Sequence, residues 1–185
     1  MNAFAKVDKE TFLRFAAAHA EQRYEFVRGR IVQQMTGGTK DHGQVARRLT
    51  RSIEDQVDAA AWLVLQDRGV ETRETIRYPD VSIEPADEPG DSLSTTRSVL
   101  IIEVLSPSTS VNDLDVKPAE YMSLDALDAY LIASQDEPAM LVYERAPDGT
   151  FPPAREVSGI DTVLGVRTRS FSINLRFADI YRDIG

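Results

Sequence analysis

A chain of 185 residues with 42% hydrophobic residues carries enough apolar material for one packed domain, so residues 1–185 read as a single unit. The absence of cysteine excludes disulfides, thiolate catalysis and cysteine-ligated zinc. A formal net charge of −9 argues against general nucleic-acid coating, although a local arginine patch and bound cations can offset acidic surface elsewhere.

The segment Met1-Asn2-Ala3-Phe4-Ala5-Lys6 lacks the apolar run of a signal peptide, and no stretch is apolar enough to span a membrane. The expectation is a soluble, cytoplasmic protein with no membrane partner. Asp8 to Glu21 is predicted as a first helix, capped by Asp8 and striped with Phe12, Leu13, Phe15 and Ala16. Two β-prone runs from Tyr24 to Val32 flank Arg28-Gly29, which predicts a tight hairpin. Gly37-Gly38 marks a loop. A long helix is predicted from Asp41 or His42 to about Ala60, because Val45, Leu49, Ile53 and Val57 recur every four residues.

Trp62 to Leu65 reads as a strand, and Val70 to Ile76 as either a second strand or a loop edge. Asp80 to Ile83 and Val99 to Leu105 read as buried strands, separated by a polar loop over Glu84 to Arg97. Ser106-Pro107-Ser108-Thr109 stops the second of these. Asn112 or Asp113 is predicted to cap a further helix running to about Met122. Pro118 belongs in a first turn, which would move that helix start to near Lys117. Ala129 to Ala133 is a predicted strand. Met140 to Arg145 and Phe151 to Val157 flank the hairpin signal Pro147-Asp148-Gly149. Phe171 to Leu175 is a predicted strand and Phe177 to Ile184 a closing helix. This order predicts an α/β fold with a mixed sheet flanked by helices.

Asp80 and Glu103 need a reason, because each stands in or at the edge of an apolar strand and an unpaired buried charge costs several kcal/mol. Two readings stand. One is a divalent cation held between adjacent strands; hard oxygen ligands suit Mg²⁺ or Mn²⁺. The other is ordinary ion pairing. Arg47 and Arg51 share a helix face and, with Arg48, could grip phosphates or pair with Glu54 or Asp55. Ser106, Ser108 and Thr109 lack a nucleophile elbow and fit a turn better than a catalytic hydroxyl.

Several pieces in order carry a resemblance: Tyr24-Glu25-Phe26-Val27-Arg28-Gly29-Arg30-Ile31-Val32, His42 opening a helix, Tyr78-Pro79-Asp80-Val81-Ser82, then Glu103-Val104-Leu105-Ser106-Pro107-Ser108-Thr109, Asp113, Lys117 and Tyr121. Together they resemble the Uma-type restriction-endonuclease family of the PD-(D/E)XK nuclease superfamily. The resemblance implies a restriction-endonuclease-like core with added β-hairpins. It implies that Asp80 and Glu103 bind Mg²⁺ or Mn²⁺, with the carbonyl of Val104 as a third ligand. The superfamily's usual lysine position, two residues after the acid, is Leu105 here, and Lys117 is the substitute on the following helix.

Glu25 is an exposed strand residue or a third carboxylate at the cleft, and His42 is a helix-capping residue or a group that touches phosphate or carries a proton. The expected function is a metal-dependent endonuclease acting on nucleic acid, DNA first, in a homodimer built on the C-terminal hairpin. The alternatives are a non-catalytic nuclease-like scaffold that binds nucleic acid or a protein, and a hydrolase of another phosphoester.

Overall fold

The computed structural model describes residues 6–34, 38–105 and 111–184. Asp8 caps α1 (Lys9–Ala18), its carboxylate accepting the Thr11 amide at 2.7 Å. Phe12 on this helix is fully buried against Phe26 and Ile76. β1 (Tyr24–Val27) and β2 (Arg30–Gln33) form the predicted hairpin. Its two turn residues, Arg28 and Gly29, have φ of 51° and 83°, the left-handed pair that matches strand twist in a two-residue turn.

Helix α2 (Lys40–Glu54) starts at Thr39, whose hydroxyl accepts the His42 amide, and buries Val45, Ala46, Leu49 and Ile53. It ends at Glu54 rather than near Ala60, and Val57 packs on the core from the turn that follows. β3 (Trp62–Leu65) comes next. The ambiguous stretch resolves into two short strands, β4 (Gly69–Glu71) and β5 (Thr75–Arg77), with the Thr72 and Thr75 hydroxyls bonded across the turn at 2.7 Å. β6 (Val81–Pro85) follows. The polar loop carries a two-residue strand, β7 (Ser94–Thr95), parallel to β4, and then comes β8 (Leu100–Leu105).

Helix α3 (Val111–Tyr121) contains Pro118 in its interior, so the predicted start near Lys117 is wrong, and Asn112 and Asp113 lie inside the helix. Proline tolerates this position at the cost of one i→i−4 hydrogen bond, and the Pro118 carbonyl still accepts the Met122 amide at 2.9 Å. The predicted loop at Gly37 and the turn Ser106-Pro107-Ser108-Thr109 lie outside the described residues. β9 (Ala129–Ser134), β10 (Ala139–Glu144), β11 (Arg155–Ser158), β12 (Val163–Arg167), β13 (Ser172–Arg176) and the short α4 (Phe177–Ile180) complete the chain.

The main sheet has the order β11-β10-β9-β8-β6-β3. Only β8 and β9 run parallel in it, so the sheet is mixed, as expected. One face presents Val81, Ile83, Leu100, Ile102 and Leu131 to α2 and to Leu164, Ile173, Leu175 and Phe177 of the C-terminal segment. The opposite face presents Ile101, Tyr130 and Ile132 to Tyr121, Leu124 and Leu127. A second sheet, β2-β1-β5-β4-β7, was not anticipated, and β12 pairs with β13 as a separate hairpin. Among the described residues no helix is long and apolar enough to cross a membrane.

Candidate active site

Alternation along β8 sets the site. Leu100, Ile102 and Val104 face α2, so Glu103 faces α3 with Ile101. Val81 pairs with Ile102 in antiparallel register, and continuing that register by one step places Asp80 opposite Glu103. Directly opposed residues have Cβ atoms about 4.5–5.5 Å apart on one face. The two acids predicted from the sequence therefore converge at the end of adjacent strands.

Both oxygens of Asp80 are engaged. Oδ1 lies 3.0 Å from His42 Nε2, and Oδ2 accepts the Val104 amide at 2.7 Å. A strand residue directs its N–H and C=O to the same neighbour, so the Val104 carbonyl also leaves β8 on the Asp80 side. The hydrogen bond to Asp80 raises the His42 pKa above its ordinary value, outweighing burial, which lowers it. His42 Nδ1 is buried with no partner among the described residues. Gly38 packs against the imidazole: a Cβ there would stand 2.9 Å from His42 Cδ2.

Glu103 is 8% exposed. Its Oε1 receives the Tyr121 hydroxyl at 2.9 Å and Lys117 Nζ at 3.2 Å, both from α3. Burial raises the Glu103 pKa, Asp80 adds to the rise, and Lys117 and Tyr121 oppose it. Burial also drives the Tyr121 phenol well above its usual value, so it is a hydrogen-bond donor to Glu103. Lys117 thus brings a cation to Glu103 from α3.

Glu25 is turned inward and buried, which excludes the exposed-strand reading. Its Oε2 meets Arg77 Nη1 at 2.6 Å, and Arg77 Nε meets Glu120 Oε2 at 2.8 Å. Burial opposes the Arg77 charge, and the two carboxylates override it and raise its pKa. Glu25 is linked to the acid pair through Arg77, Glu120 and the adjacent Tyr121. Among the described residues no three of His, Asp and Glu gather closely enough to hold a metal, so a metal here would rest on two carboxylates and a carbonyl. That donor set suits Mg²⁺, which is commonly held by one or two carboxylates with water and phosphate completing its shell. Arg77 and Glu120 were missed in the sequence because their partners lie 52 and 43 positions away.

The arginine trio divides. Arg48 spends its donors on Gln44 Oε1 and on the carbonyls of Ile180 and Arg182. Arg47 and Arg51 are exposed, and among the described residues neither forms an ion pair with Glu54 or Asp55.

Residues 9–175 match a family, Uma2, described as "Putative restriction endonuclease". An uncharacterized protein of Synechocystis sp. is 30% identical over 152 residues, covering 79% of this chain and 78% of the relative. The crystal structure of a putative nuclease belonging to DUF820 from Anabaena variabilis superposes with a TM-score of 0.72 at 16% identity, covering 87% of this chain and 90% of that one. At that identity the likeness speaks for the fold alone.

Proposed function

The chain belongs to the Uma2 family of putative restriction endonucleases, and from that premise we propose that it is a metal-dependent nuclease that hydrolyses phosphodiester bonds in DNA. The reading is supported by the register of β6 against β8, which sets Val81 opposite Ile102 and, extended by one step, brings Asp80 opposite Glu103, with Lys117 3.2 Å from Glu103. Asp80, Glu103 and the Val104 carbonyl would hold Mg²⁺ or Mn²⁺. Such an ion, when bound, neutralises phosphate charge and lowers the pKa of a coordinated water.

The chain's own groups do the rest. Lys117 supplies a fixed cation beside the carboxylates, where charge develops on the phosphate. Tyr121 holds the Glu103 carboxylate in one orientation through its hydroxyl. His42 Nε2 lies 3.0 Å from Asp80, and the bond to that carboxylate favours the protonated ring, which places a proton carrier beside the acid pair. The triad of Glu25, Arg77 and Glu120 anchors the end of α3 from which Tyr121 projects.

The test is calorimetric titration with Mn²⁺ of the wild type, Asp80→Ala and Glu103→Ala, with folding checked by circular dichroism, followed by cleavage of plasmid and single-stranded DNA. Binding lost in both variants, with cleavage lost alongside it, is the expected result. A wild type that binds no Mn²⁺ even beside an uncleavable oligonucleotide ends the proposal. A second reading, a non-catalytic scaffold, is favoured by one observation: both Asp80 oxygens and Glu103 Oε1 already have protein partners. Cation binding without cleavage of any nucleic acid would select it. Dimerisation through the β12–β13 hairpin, where Val163 is exposed, belongs to the same proposal and is tested by light scattering.

A further inference from the structure

On the far side of α2 from the acid pair lies a groove of about 870 Å³ between α2 and the C-terminal segment. Arg47 and Arg51 form one wall, Arg176 and Arg182 the other. Asp55 and Asp179 are its acids, and only Asp179 reaches one of these arginines, at 3.6 Å from Arg176 Nε. Arg182 Nε also lies 3.9 Å from Asp183, so Arg47 and Arg51 are the two groove arginines with no acid among the described residues, and on a chain of net charge −9 they form a local reversal of sign.

The walls are fixed to each other. Gln56 Nε2 donates to the Asn174 carbonyl at 3.0 Å, and Gln56 Oε1 accepts the Asn174 amide at 2.8 Å, so one side chain pairs with β13 as a strand would. Arg48 ties α2 to the carbonyls of Ile180 and Arg182. The groove is therefore held open before any ligand arrives, which lowers the ordering cost of binding.

We propose that this groove binds the phosphate backbone of nucleic acid, as a docking surface separate from the acid pair. The polyanion is inferred from the groove, and its placement on a substrate rests on the nuclease reading above. Arg47 and Arg51 lie one turn apart, about 6 Å along the axis. Two guanidinium groups at that spacing can each meet a different phosphate of one strand. Guanidinium forks match phosphate oxygens in a bidentate fashion. An acidic protein would also need apolar anchor pockets, and the groove offers Val163 as its one apolar lining residue.

The experiment measures anisotropy of a fluorescein-labelled 24-base-pair DNA with the full chain in EDTA, across a salt series. Wild type is compared with Arg47→Ala/Arg51→Ala, with Arg47→Lys/Arg51→Lys and with Arg14→Ala as a remote control. Expected are at least a tenfold loss of affinity in the alanine pair and a salt slope shallower by about two, since each phosphate contact contributes about 0.9. The lysine pair should retain most of the slope, and Arg14→Ala should match wild type.

Equal binding by the alanine pair and the control overturns the proposal, as does poly-glutamate binding as tightly as DNA in wild type. Asp80→Asn separates the two claims. DNA binding in EDTA that persists there, with no cleavage by wild type in Mn²⁺, leaves the docking surface standing and removes the nuclease reading.

Discussion

Replacing Arg77 by Met would strand two buried carboxylates while keeping most of the side chain's volume. Arg77, Glu25 and Glu120 are 9%, 5% and 10% exposed at the side chain, and the bonds that join them are 2.6 and 2.8 Å long. Each charge-assisted hydrogen bond contributes roughly 1.5–3 kcal/mol. Removal of one partner from a buried ion pair costs about 3–5 kcal/mol, chiefly through the charge left behind. We expect Arg77→Met to lose about 3–5 kcal/mol at pH 8, read by urea unfolding. With a slope near 2–3 kcal/mol/M, the midpoint should fall by roughly 1–2.5 M.

The pH dependence supplies the sign. Without Arg77, two carboxylates are left buried with no cation, and burial disfavours their charged form. The variant's deficit against wild type should therefore be largest at pH 8 and narrow as the medium is acidified. Adding Glu25→Gln and Glu120→Gln should recover most of the loss at pH 8. A deficit under about 1 kcal/mol, or one that does not narrow with acid, would refute the claim that the triad is a buried, mutually compensating unit.

His42→Asn removes a group whose folded pKa is raised, so its stability deficit should be full below about pH 6.5 and vanish as pH rises through the folded value; urea midpoints at pH 5.5 and 9 read this, and equal deficits at both would contradict it. Tyr121→Phe deletes the 2.9 Å bond to the buried Glu103 carboxylate and should cost about 1.5–3 kcal/mol, measured in the same assay. Gly38→Ala places a methyl 2.9 Å from His42 Cδ2 and should displace the ring from Asp80. Its imidazole pKa, followed by NMR, should fall toward 6.5, and an unchanged titration would mean that the loop yields instead.

The acid pair was legible because an acid inside an apolar run is anomalous whatever the fold, and β6 and β8 prove to be neighbours in register. The Arg28-Gly29 turn was legible because a tight hairpin needs two residues that tolerate positive φ. Pro118 misled the reading of α3, since local propensity disfavours proline in a helix interior while Tyr121 and Leu124 packing holds that helix in place. β4, β5 and β7 are two or three residues long, too short for any period to show. Arg77 and Glu120 carry no local signal, because the bonds that define them join segments distant in sequence. The arginines of α2 were visible as a cluster, but the opposite wall from Arg176 and Arg182 was not, since it depends on how the C-terminal segment folds back.

That fold-back has a consequence for synthesis on the ribosome. Leu164, Val166, Ile173, Leu175, Phe177, Ile180 and Tyr181 close over the same face of the sheet that Val45, Leu49 and Ile53 cover from α2. α2 is translated early, yet its apolar stripe gains these neighbours only when residues 164–181 emerge. Until then the nascent chain holds an amphipathic helix and a half-covered sheet, the kind of surface that chaperones bind. Truncation before β13 should therefore yield insoluble product rather than a smaller, active domain, and a stalled chain would carry its acids without a finished scaffold to hold them.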